Sequence, residues 1–194
     1  MYSYSFDIET GGLILNSTPT IFSKEPRPVY SSEMNLLGFN DFWDYDCQDD
    51  IPYMWCESNV YWYKGQAIAK IKGGDLYHAP ILSPYLDDNG RVLFGKETSV
   101  KLSPIDINGM NEKNKELLSV MEETTVKMIV KEYEKFKDKL DIFHVAFSGG
   151  KDSAVLLDLV KKALPKGSFV VIFGDTGMEF PDTYKAVELT TGLC

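Results

Sequence analysis

At 194 residues the chain is long enough for one large domain or two small ones, and its hydrophobic fraction of 44% argues against a disordered protein. The formal net charge of −9 disfavours a general electrostatic attraction to nucleic acid, although it is compatible with a local basic patch. No stretch has the apolar length of a membrane span, and the N-terminus lacks the features of a signal peptide. Three cysteines without a Cys-x-x-Cys pair predict reduced thiols, and hence a cytoplasmic location.

The first part, residues 1–107, is predicted to be a small, mainly β accessory domain. Short runs of β-branched and aromatic residues alternate there with glycine and proline turns, which break up any helix. No motif in this part assigns an activity. Two pairs of runs predict β-hairpins, namely Val60–Tyr63 with Gln66–Ile71 around Lys64-Gly65, and Arg91–Phe94 with Thr98–Leu102 around Gly95.

Two other uses of this part stay open as alternatives. Aromatic rings next to lysines suit base stacking with phosphate contacts, so a nucleic-acid-binding module is one of them, although an amphipathic hairpin with one face in the core is favoured. A structural zinc site is weakly indicated by Cys47 and Cys56, since such sites usually draw on two closely spaced ligand pairs. The residues considered for stacking and phosphate contact are Tyr61, Trp62, Tyr63, Lys64, Lys70 and Lys72.

Residues 108–140 are predicted to form one long amphipathic helix that leads into the last domain, with the clearest periodicity over 111–140. Apolar side chains recur at steps of three and four residues from Leu117 to Phe136, while Glu and Lys occupy the other face. The charged face is typical of a solvated surface. The apolar stripe is therefore expected to pack on the sheet of the last domain.

The last part, residues 141–194, begins with the apolar run 142–147, which predicts a buried strand that includes His144 as a packed residue. Gly149 and Gly150 then allow a sharp turn, and the following apolar spacing with an acidic first turn predicts a helix. A helix N-terminus after a glycine turn binds anions, because unpaired N–H groups and the positive end of the helix dipole point at one place. The segment therefore predicts a phosphate-binding loop.

The spacing of this loop decides its type. Gly150-Lys151 is followed by Asp152 instead of Ser or Thr, so it is not a Walker A loop, and the dinucleotide fingerprint is missing as well. The run Ser-Gly-Gly-Lys-Asp-Ser at 148–153 matches the PP-loop of the ATP pyrophosphatases. The run 173–184, which contains Asp-Thr-Gly and Phe-Pro-Asp-Thr, resembles a segment of the phosphoadenosine phosphosulfate (PAPS) reductase family, with Asp182 where that family usually carries Glu. The two motifs occur in the order and at the separation of that family.

The resemblance implies an adenine-nucleotide site at the carboxyl ends of the two strands, where open α/β sheets bind their ligands. It makes Lys151 and Asp152 the catalytic candidates. It also makes Asp152 and Asp175 the candidates for holding Mg²⁺, although Asp175 has a rival role as the cap of the turn that follows it. The nucleotide-binding candidates are Ser148, Gly149, Gly150, Lys151, Asp152, Ser153, Asp175, Thr176 and Gly177.

The reaction implied by the intact loop is cleavage of ATP between its α- and β-phosphates, giving AMP and pyrophosphate in sulfur transfer or sulfur assimilation. PAPS reductases proper often lack the intact loop and need a nucleophilic cysteine near the C-terminus, to which Cys194 is a poor match. A true PAPS reductase that releases sulfite stays as the alternative. The sulfur donor and acceptor are not predicted.

The fold expected for this last part is the start of a doubly wound parallel α/β sheet. Strand, loop, helix, strand (Phe169–Phe173), loop and a helix from about Pro181 supply two strands, whereas such sheets usually have five or more with both faces covered. The sequence is therefore expected to be the N-terminal portion of a longer protein. The α/β part is expected to expose apolar surface or to cover it by forming an oligomer.

Overall fold

The computed structural model describes residues 2–19 and 24–191, and its mixture of helices and sheets gives an α/β protein. The chain divides into two compact units, Met1–Leu117 and Leu118–Cys194. Each unit has a hydrophobic core of its own. In the described part of the chain, no helix combines the length and the apolarity that crossing a membrane requires.

The described residues of the first unit, 2–19 and 24–117, form seven strands in two antiparallel sheets. Strands β1 and β2 pair with each other, and β3 to β7 follow one another as a five-stranded meander. A short helix, α1, lies between β3 and β4, and two single 3-10 turns lie at Phe39–Asp41 and Lys96–Thr98. The bounds are β1 Tyr2–Phe6, β2 Leu13–Pro19, β3 Arg27–Val29, α1 Ser31–Leu36, β4 Met54–Glu57, β5 Val60–Tyr63, β6 Gln66–Lys72 and β7 Ile81–Pro84.

The first predicted hairpin is confirmed as β5 and β6. Lys64 has a φ of 46° and Gly65 a φ of 79°, so both turn residues are left-handed, as two-residue hairpin turns require. The alternation along β5 places Tyr61 and Tyr63 inward, at 0% and 3% exposure. One face of the hairpin therefore belongs to the core of the first unit.

The second predicted hairpin, at Arg91–Phe94 and Thr98–Leu102, is wrong. Val92 makes a single antiparallel bridge to Leu86, and residues 96–98 form a 3-10 turn instead of a strand. Phe94 and Ser99 both have a φ of 54°. These left-handed residues turn the backbone twice, so neither run stays extended long enough to pair with the other.

The long helix, α2, spans Ile107–Phe136, so it begins one residue before the predicted range 108–140 and ends four residues before the end of that range. The side chain of Asp106 accepts a hydrogen bond from the backbone N–H of Gly109 at 3.0 Å, so it caps the helix at this earlier position. Within the second unit, Ile129 of α2 packs on the core, and the ring of Tyr133 lies 4.9 Å from that of Phe143. The expected packing of the stripe is thus confirmed for these two residues.

The second unit contains the predicted order of strand, helix, strand and helix after α2. Strands β8 and β9 pair in parallel, with Val145 opposite Val171, and these two valines face the core. This parallel sheet has two strands, so the structure shows an α/β arrangement but not a doubly wound sheet. The bounds are β8 His144–Ala146, α3 Lys151–Ala163, β9 Val170–Ile172 and α4 Pro181–Thr191.

The opposite face of this sheet is open, which corrects the prediction of a fully buried strand. His144 is exposed, and so are Val170 at 39% and Ile172 at 50%. The packed position predicted for His144 is wrong, because successive strand residues face opposite sides and nothing among the described residues covers this side. The exposure of Val170 and Ile172 agrees with the expectation that the α/β part exposes apolar surface.

Candidate functional site

The first candidate loop connects β8 to α3 and keeps an open turn at the N-terminus of the helix. The backbone N–H of Phe147 donates to the carbonyl of Ile172 at 2.9 Å and so holds the start of the loop against β9. Gly149 has a φ of 76°, which a residue with a side chain adopts at a cost. Gly150 is extended and serves as the N-cap residue, and α3 begins at Lys151.

The amides of this loop are free to bind a ligand. Gly150 offers no side chain to cap α3, and the first N–H groups of a helix have no intrahelical partner. No described residue accepts a hydrogen bond from the backbone N–H of Gly149, Lys151, Asp152 or Ser153. An anion at this helix N-terminus would therefore meet several unsatisfied donors and the positive end of the helix dipole.

The two serines of the motif shape the loop in this structure. The hydroxyl of Ser153 donates to the carbonyl of Gly150 at 2.9 Å, and it accepts from the backbone N–H of Ser148 at 3.2 Å. The hydroxyl of Ser148 in turn donates to that of Ser153 at 3.2 Å. These bonds tie the two ends of the loop together, so contact of either hydroxyl with a phosphate stays a prediction.

Lys151 and Asp152 both point into solvent. Their side chains are 87% and 91% exposed, and the ammonium lies 3.3 Å from a carboxylate oxygen of Asp152. An ion pair this exposed contributes little stability, and neither side chain has packing to lose. Both groups are therefore available to a ligand, with Lys151 as a movable positive charge beside the free amides.

The second candidate loop, after β9, is organised by Asp175. One oxygen of this carboxylate, Oδ1, accepts from the hydroxyl of Tyr184 at 2.7 Å and from the backbone N–H of Gly177 at 2.8 Å. The bond from Tyr184 is the main cause that lowers the pKa of Asp175 below its ordinary value, and the same bond raises the pKa of Tyr184. Asp175 does cap the turn, as the rival role predicted, and it is an ionised carboxylate at neutral pH.

The rest of the second loop is exposed, and its side-chain hydrogen bonds join residues that are close in sequence. The hydroxyl of Thr176 donates to the carboxylate of Glu179 at 2.8 Å, and Gly177 has a φ of 74°. Phe180 is 80% exposed and Met178 is 90% exposed. Apolar side chains this exposed suit a surface that covers a ligand.

The two loops are brought together by the first turn of α4. A Cβ atom on Gly149 would lie 3.0 Å from Cγ2 of Thr183, so the first loop passes close against this helix. The next residue, Tyr184, bonds to Asp175 of the second loop. Neither Thr183 nor Tyr184 was given a role from the sequence. The sequence signal that could have indicated Tyr184 is a tyrosine nine residues after Asp175, in the first turn of a predicted helix.

The carboxylates fit a magnesium ion only together with a nucleotide. No group of three or more His, Cys, Asp or Glu side chains that could hold a metal occurs within residues 2–19 and 24–191. Mg²⁺ is commonly held by one or two carboxylates plus phosphate oxygens and waters, which is the set that Asp152 or Asp175 would supply with ATP. For the zinc alternative, Cys47 is exposed and Cys56 is buried, and both are free thiols.

A cavity of about 580 Å³ lies elsewhere in the second unit, between β9 and the ends of α3 and α4. None of the predicted site residues lines it. Its walls are largely apolar but include Lys161 and Lys166, and neither of the two sequence motifs contributes a ligand-binding loop to it. We therefore place the candidate site at the two loops. The apolar lining residues include Phe147, Leu164, Phe169, Phe173 and Val187.

The aromatic residues considered for nucleic-acid binding are mostly unavailable. Tyr61 and Tyr63 are buried in the core of the first unit. The ring of Trp62 stacks on that of Phe6, with centroids 4.8 Å apart. The hairpin therefore cannot present Tyr61 or Tyr63 for stacking on bases.

The comparison with family models concerns the part of the chain that contains the two loops. Residues 142–192 match the family model described as the phosphoadenosine phosphosulfate reductase domain, which confirms the resemblance indicated by the two motifs. The family is one of nucleotide-related proteins of sulfur metabolism, and its members are generally enzymes. No solved structure matches the chain.

Two uncharacterized proteins of Methanocaldococcus jannaschii are similar to part of the chain. One is 41% identical over 76 residues and the other is 45% identical over 75 residues, which is 39% of this chain in each case. These segments cover 18% and 15% of the two relatives, so the chain spans less than a fifth of their length.

Proposed function

We propose that the chain is part of an enzyme that binds ATP at the loop 148–153 and cleaves it between the α- and β-phosphates, giving AMP and pyrophosphate in sulfur transfer or sulfur assimilation. The observation that supports this most is the intact Ser-Gly-Gly-Lys-Asp-Ser loop with unsatisfied amides at the N-terminus of α3. Asp175 lies in the neighbouring loop, at the carboxyl end of the adjacent strand. Both features are expected of a nucleotide site in an open α/β sheet.

The proposed bond cleavage follows from what the loop offers. Pyrophosphate is a leaving group with several negative oxygens, and catalysis of phosphoryl transfer rests on positioning and on neutralising that charge. In the proposal, the amides of Gly149, Lys151 and Asp152 and the ammonium of Lys151 hold the β- and γ-phosphates as one group. The α-phosphorus then faces the acceptor. A Walker-type or kinase-type loop, as expected for γ-phosphate transfer, is absent from the sequence.

Magnesium has a limited part in this proposal. Asp152 and Asp175 are the residues that would hold it, together with oxygens of the nucleotide. When bound, the ion would supply positive charge to the phosphate oxygens. The chain's own contribution would be the carboxylates of Asp152 and Asp175, and the hydrogen bonds to Asp175 lower the pKa of that residue.

A PAPS reductase is the second candidate, because the matching family model carries that description. In this case the substrate would be PAPS, and sulfite would be released to a thiol donor. The chemistry needs a nucleophilic cysteine, and Cys194, the one cysteine in the last part of the chain, lies outside the described residues. The intact loop favours ATP, since a nucleotide with a single sulfated 5′ phosphate offers no pyrophosphate to hold.

The wider arrangement is also part of the proposal. We infer that β8 and β9 are the start of a doubly wound parallel sheet, in which further strands or a second copy cover the exposed face with Val170 and Ile172. We also propose a cytoplasmic location, since free thiols such as Cys47 and Cys56 persist in a reducing compartment. Light scattering after size exclusion, together with binding of a dye for exposed apolar surface, checks the first point. A monomer that binds no dye would contradict it.

Product analysis tests the reaction. Because the aligned relatives are much longer, the assay uses the longest form of the protein that the gene encodes, with Mg²⁺ and ATP labelled at the α- and γ-phosphates. The expected products are labelled AMP, or its adduct with the acceptor, and labelled pyrophosphate. Formation of ADP would contradict the assignment. Reaction of PAPS alone, with release of sulfite, would establish the second candidate instead.

A further inference from the structure

The first turn of α4 contacts both candidate loops, although the sequence analysis gives no role to Thr183 or Tyr184. Thr183 lies against the Cα of Gly149 in the first loop, and Tyr184 bonds to Asp175 in the second. The two contacts come from adjacent residues of one helix. A shift of this turn would therefore move both loops, and a fixed turn keeps their relative position constant.

The hydrogen bonds to Asp175 involve one of its two carboxylate oxygens. Oδ1 accepts two hydrogen bonds, from the hydroxyl of Tyr184 and the N–H of Gly177. Oδ2 accepts none from any residue within 2–19 and 24–191. Two donors on one oxygen fix the rotation of the carboxylate, and the other oxygen stays open to an ion or a ligand.

The ring of Tyr184 is itself held in place. It packs edge to face on Phe173, with ring centroids 6.4 Å apart and an angle of 74° between the planes. Phe173 directly follows β9, so the hydroxyl of Tyr184 is positioned from the same strand end as Asp175. The ring supplies the packing, and the hydroxyl supplies only the bond to Asp175. The two parts of the side chain can therefore be tested separately.

We propose that Tyr184 is a positioning residue of the nucleotide site, which orients Asp175 so that Oδ2 meets the magnesium ion of bound Mg·ATP. This inference rests on the proposed function of the loop 148–153. Residues that hold a metal-binding carboxylate through a hydrogen bond typically change metal affinity or activity by roughly tenfold to a hundredfold when they are mutated. The hydroxyl of Tyr184 would be such a group, because it donates a hydrogen bond to the carboxylate of Asp175.

The test compares ATP affinity with and without Mg²⁺ in four forms of the 194-residue chain, namely wild type, Tyr184→Phe, Asp175→Asn and the double variant. Tyr184→Phe removes the hydroxyl and keeps the ring on Phe173. We expect it to weaken binding of Mg·ATP about tenfold, and to leave magnesium-free ATP binding and the melting temperature unchanged. We expect the double variant to bind Mg·ATP as Asp175→Asn does, because Tyr184 acts through Asp175.

Tyr133→Phe is the matched control, since it removes a tyrosine hydroxyl in the same unit, on α2 and outside both loops. It is expected to bind both forms of ATP as the wild type does. Lys151→Ala separates the two proposals. If it abolishes ATP binding while Tyr184→Phe binds Mg·ATP normally, the role of Tyr184 is wrong and the proposed function stands.

Four other outcomes would overturn the role of Tyr184. A melting temperature of Tyr184→Phe that falls in parallel with its affinity would indicate a structural residue. Effects of Tyr184→Phe and Asp175→Asn that add would show that Tyr184 acts independently of the carboxylate. Absence of ATP binding by the wild-type chain, or normal binding by Lys151→Ala, would reject the proposed function and this inference with it.

Discussion

The two units of the chain differ in how completely they bury their own apolar residues. In the first unit, Phe39, Met54 and Ile68 are fully buried, and Trp43 is 1% exposed. In the second, the most buried apolar residues, such as Val145 and Val160, are still 5% to 7% exposed. On one face of the second unit's sheet, Val170 and Ile172 are exposed, at 39% and 50%. The first unit is therefore built to be stable by itself, while the second presents two ligand loops on a sheet that is covered on one side.

The comparison separates two kinds of sequence constraint. In the first unit the aromatic residues are needed inside, because they fill a core closed by five antiparallel strands. In the second unit the most distinctive residues, at 148–153 and 175–177, lie mostly on the surface and bury little. A residue there is constrained by backbone conformation and by ligand contact more than by packing. Substitutions should thus affect stability in the first unit and binding in the second.

The largest expected effect is on the core of the first unit. Phe39→Ala should lower the free energy of unfolding of this unit by about 3–5 kcal/mol, because it removes a fully buried ring that contacts Trp43 and Tyr61. Phe180→Ala, the same change at a site 80% exposed in the second unit, should stay within about 0.5 kcal/mol.

Denaturant titration followed by tryptophan fluorescence measures this effect, since all three tryptophans, Trp43, Trp55 and Trp62, lie in the first unit. Unfolding of the second unit is followed by amide signals in the same samples. Equal losses for Phe39→Ala and Phe180→Ala would remove the contrast between the two units.

A smaller effect is expected at a buried polar residue of the first unit, Asn114. Asn114, on α2, accepts from the N–H of Leu15 and donates to the carbonyls of Leu13 and Met110, at 2.7 to 2.9 Å. Asn114→Ala should cost about 1–3 kcal/mol, because backbone groups of β2 lose their partners in a buried place. Asn111→Ala, at an exposed position of the same helix, should change the free energy by less than about 0.5 kcal/mol. An unfolding curve for Asn114→Ala that overlays the wild-type curve would contradict this account of how α2 holds β2.

In the second unit, the glycines of the loop should differ from each other. Gly149→Ala places a Cβ 3.0 Å from Thr183 on a residue with a left-handed φ of 76°, so we expect a loss of about 1 kcal/mol in local stability. Gly150→Ala has a negative φ, with its nearest neighbour, Oγ of Ser148, at 3.5 Å, and should be tolerated. Hydrogen exchange of the Val145 and Val171 amides measures both variants. Faster exchange in Gly150→Ala than in Gly149→Ala would show that the loop has another conformation.

The smallest expected effect depends on pH and belongs to the first unit. The bond from Lys113 is the main cause that lowers the pKa of Asp7 from 3.8 to about 2. A carboxylate whose pKa is lowered by folding stabilises the protein at pH values above its ordinary pKa. This contribution is lost as the pH falls through the lowered pKa. Asp7→Asn should therefore destabilise the first unit at pH 6, and its difference from wild type should vanish near pH 2. A difference for Asp7→Asn that stays constant with pH would contradict the role of Asp7.

Local patterns in the sequence predicted the parts of the fold that depend on neighbouring residues. The turn Lys64-Gly65 places the first hairpin, and the glycines after β8 place the start of α3, because both depend on backbone conformations within a few residues. The run 91–102 was misassigned, since the left-handed conformations of Phe94 and Ser99 leave no mark in a hydrophobic pattern. The start of α2, which Asp106 caps, lies one residue before the predicted 108, whereas its end at Phe136 lies four residues before the predicted 140.

Features that depend on distant residues could not be predicted in this way. The exposure of His144 depends on what covers one face of the sheet, which the pattern of a single strand does not contain. The bond between Tyr184 and Asp175 needs the geometry of a helix packed beside a strand end. The sequence motifs thus identified the loops of the candidate site, and the structure added the helix turn that joins them.

The most direct test of the central proposal is a titration of Mg·ATP into the isotope-labelled chain, followed by amide chemical shifts, for wild type, Lys151→Ala and Lys166→Ala. In the wild type, the largest shifts should fall on the amides of Gly149 to Ser153 and on the loop 175–177. Lys151→Ala should lose these shifts while its fold is preserved, and Lys166→Ala, which removes the same charge beyond the far end of α3, should keep them. Shifts located in the first unit, or equal affinities for Lys151→Ala and the wild type, would contradict the assignment of a phosphate-binding loop.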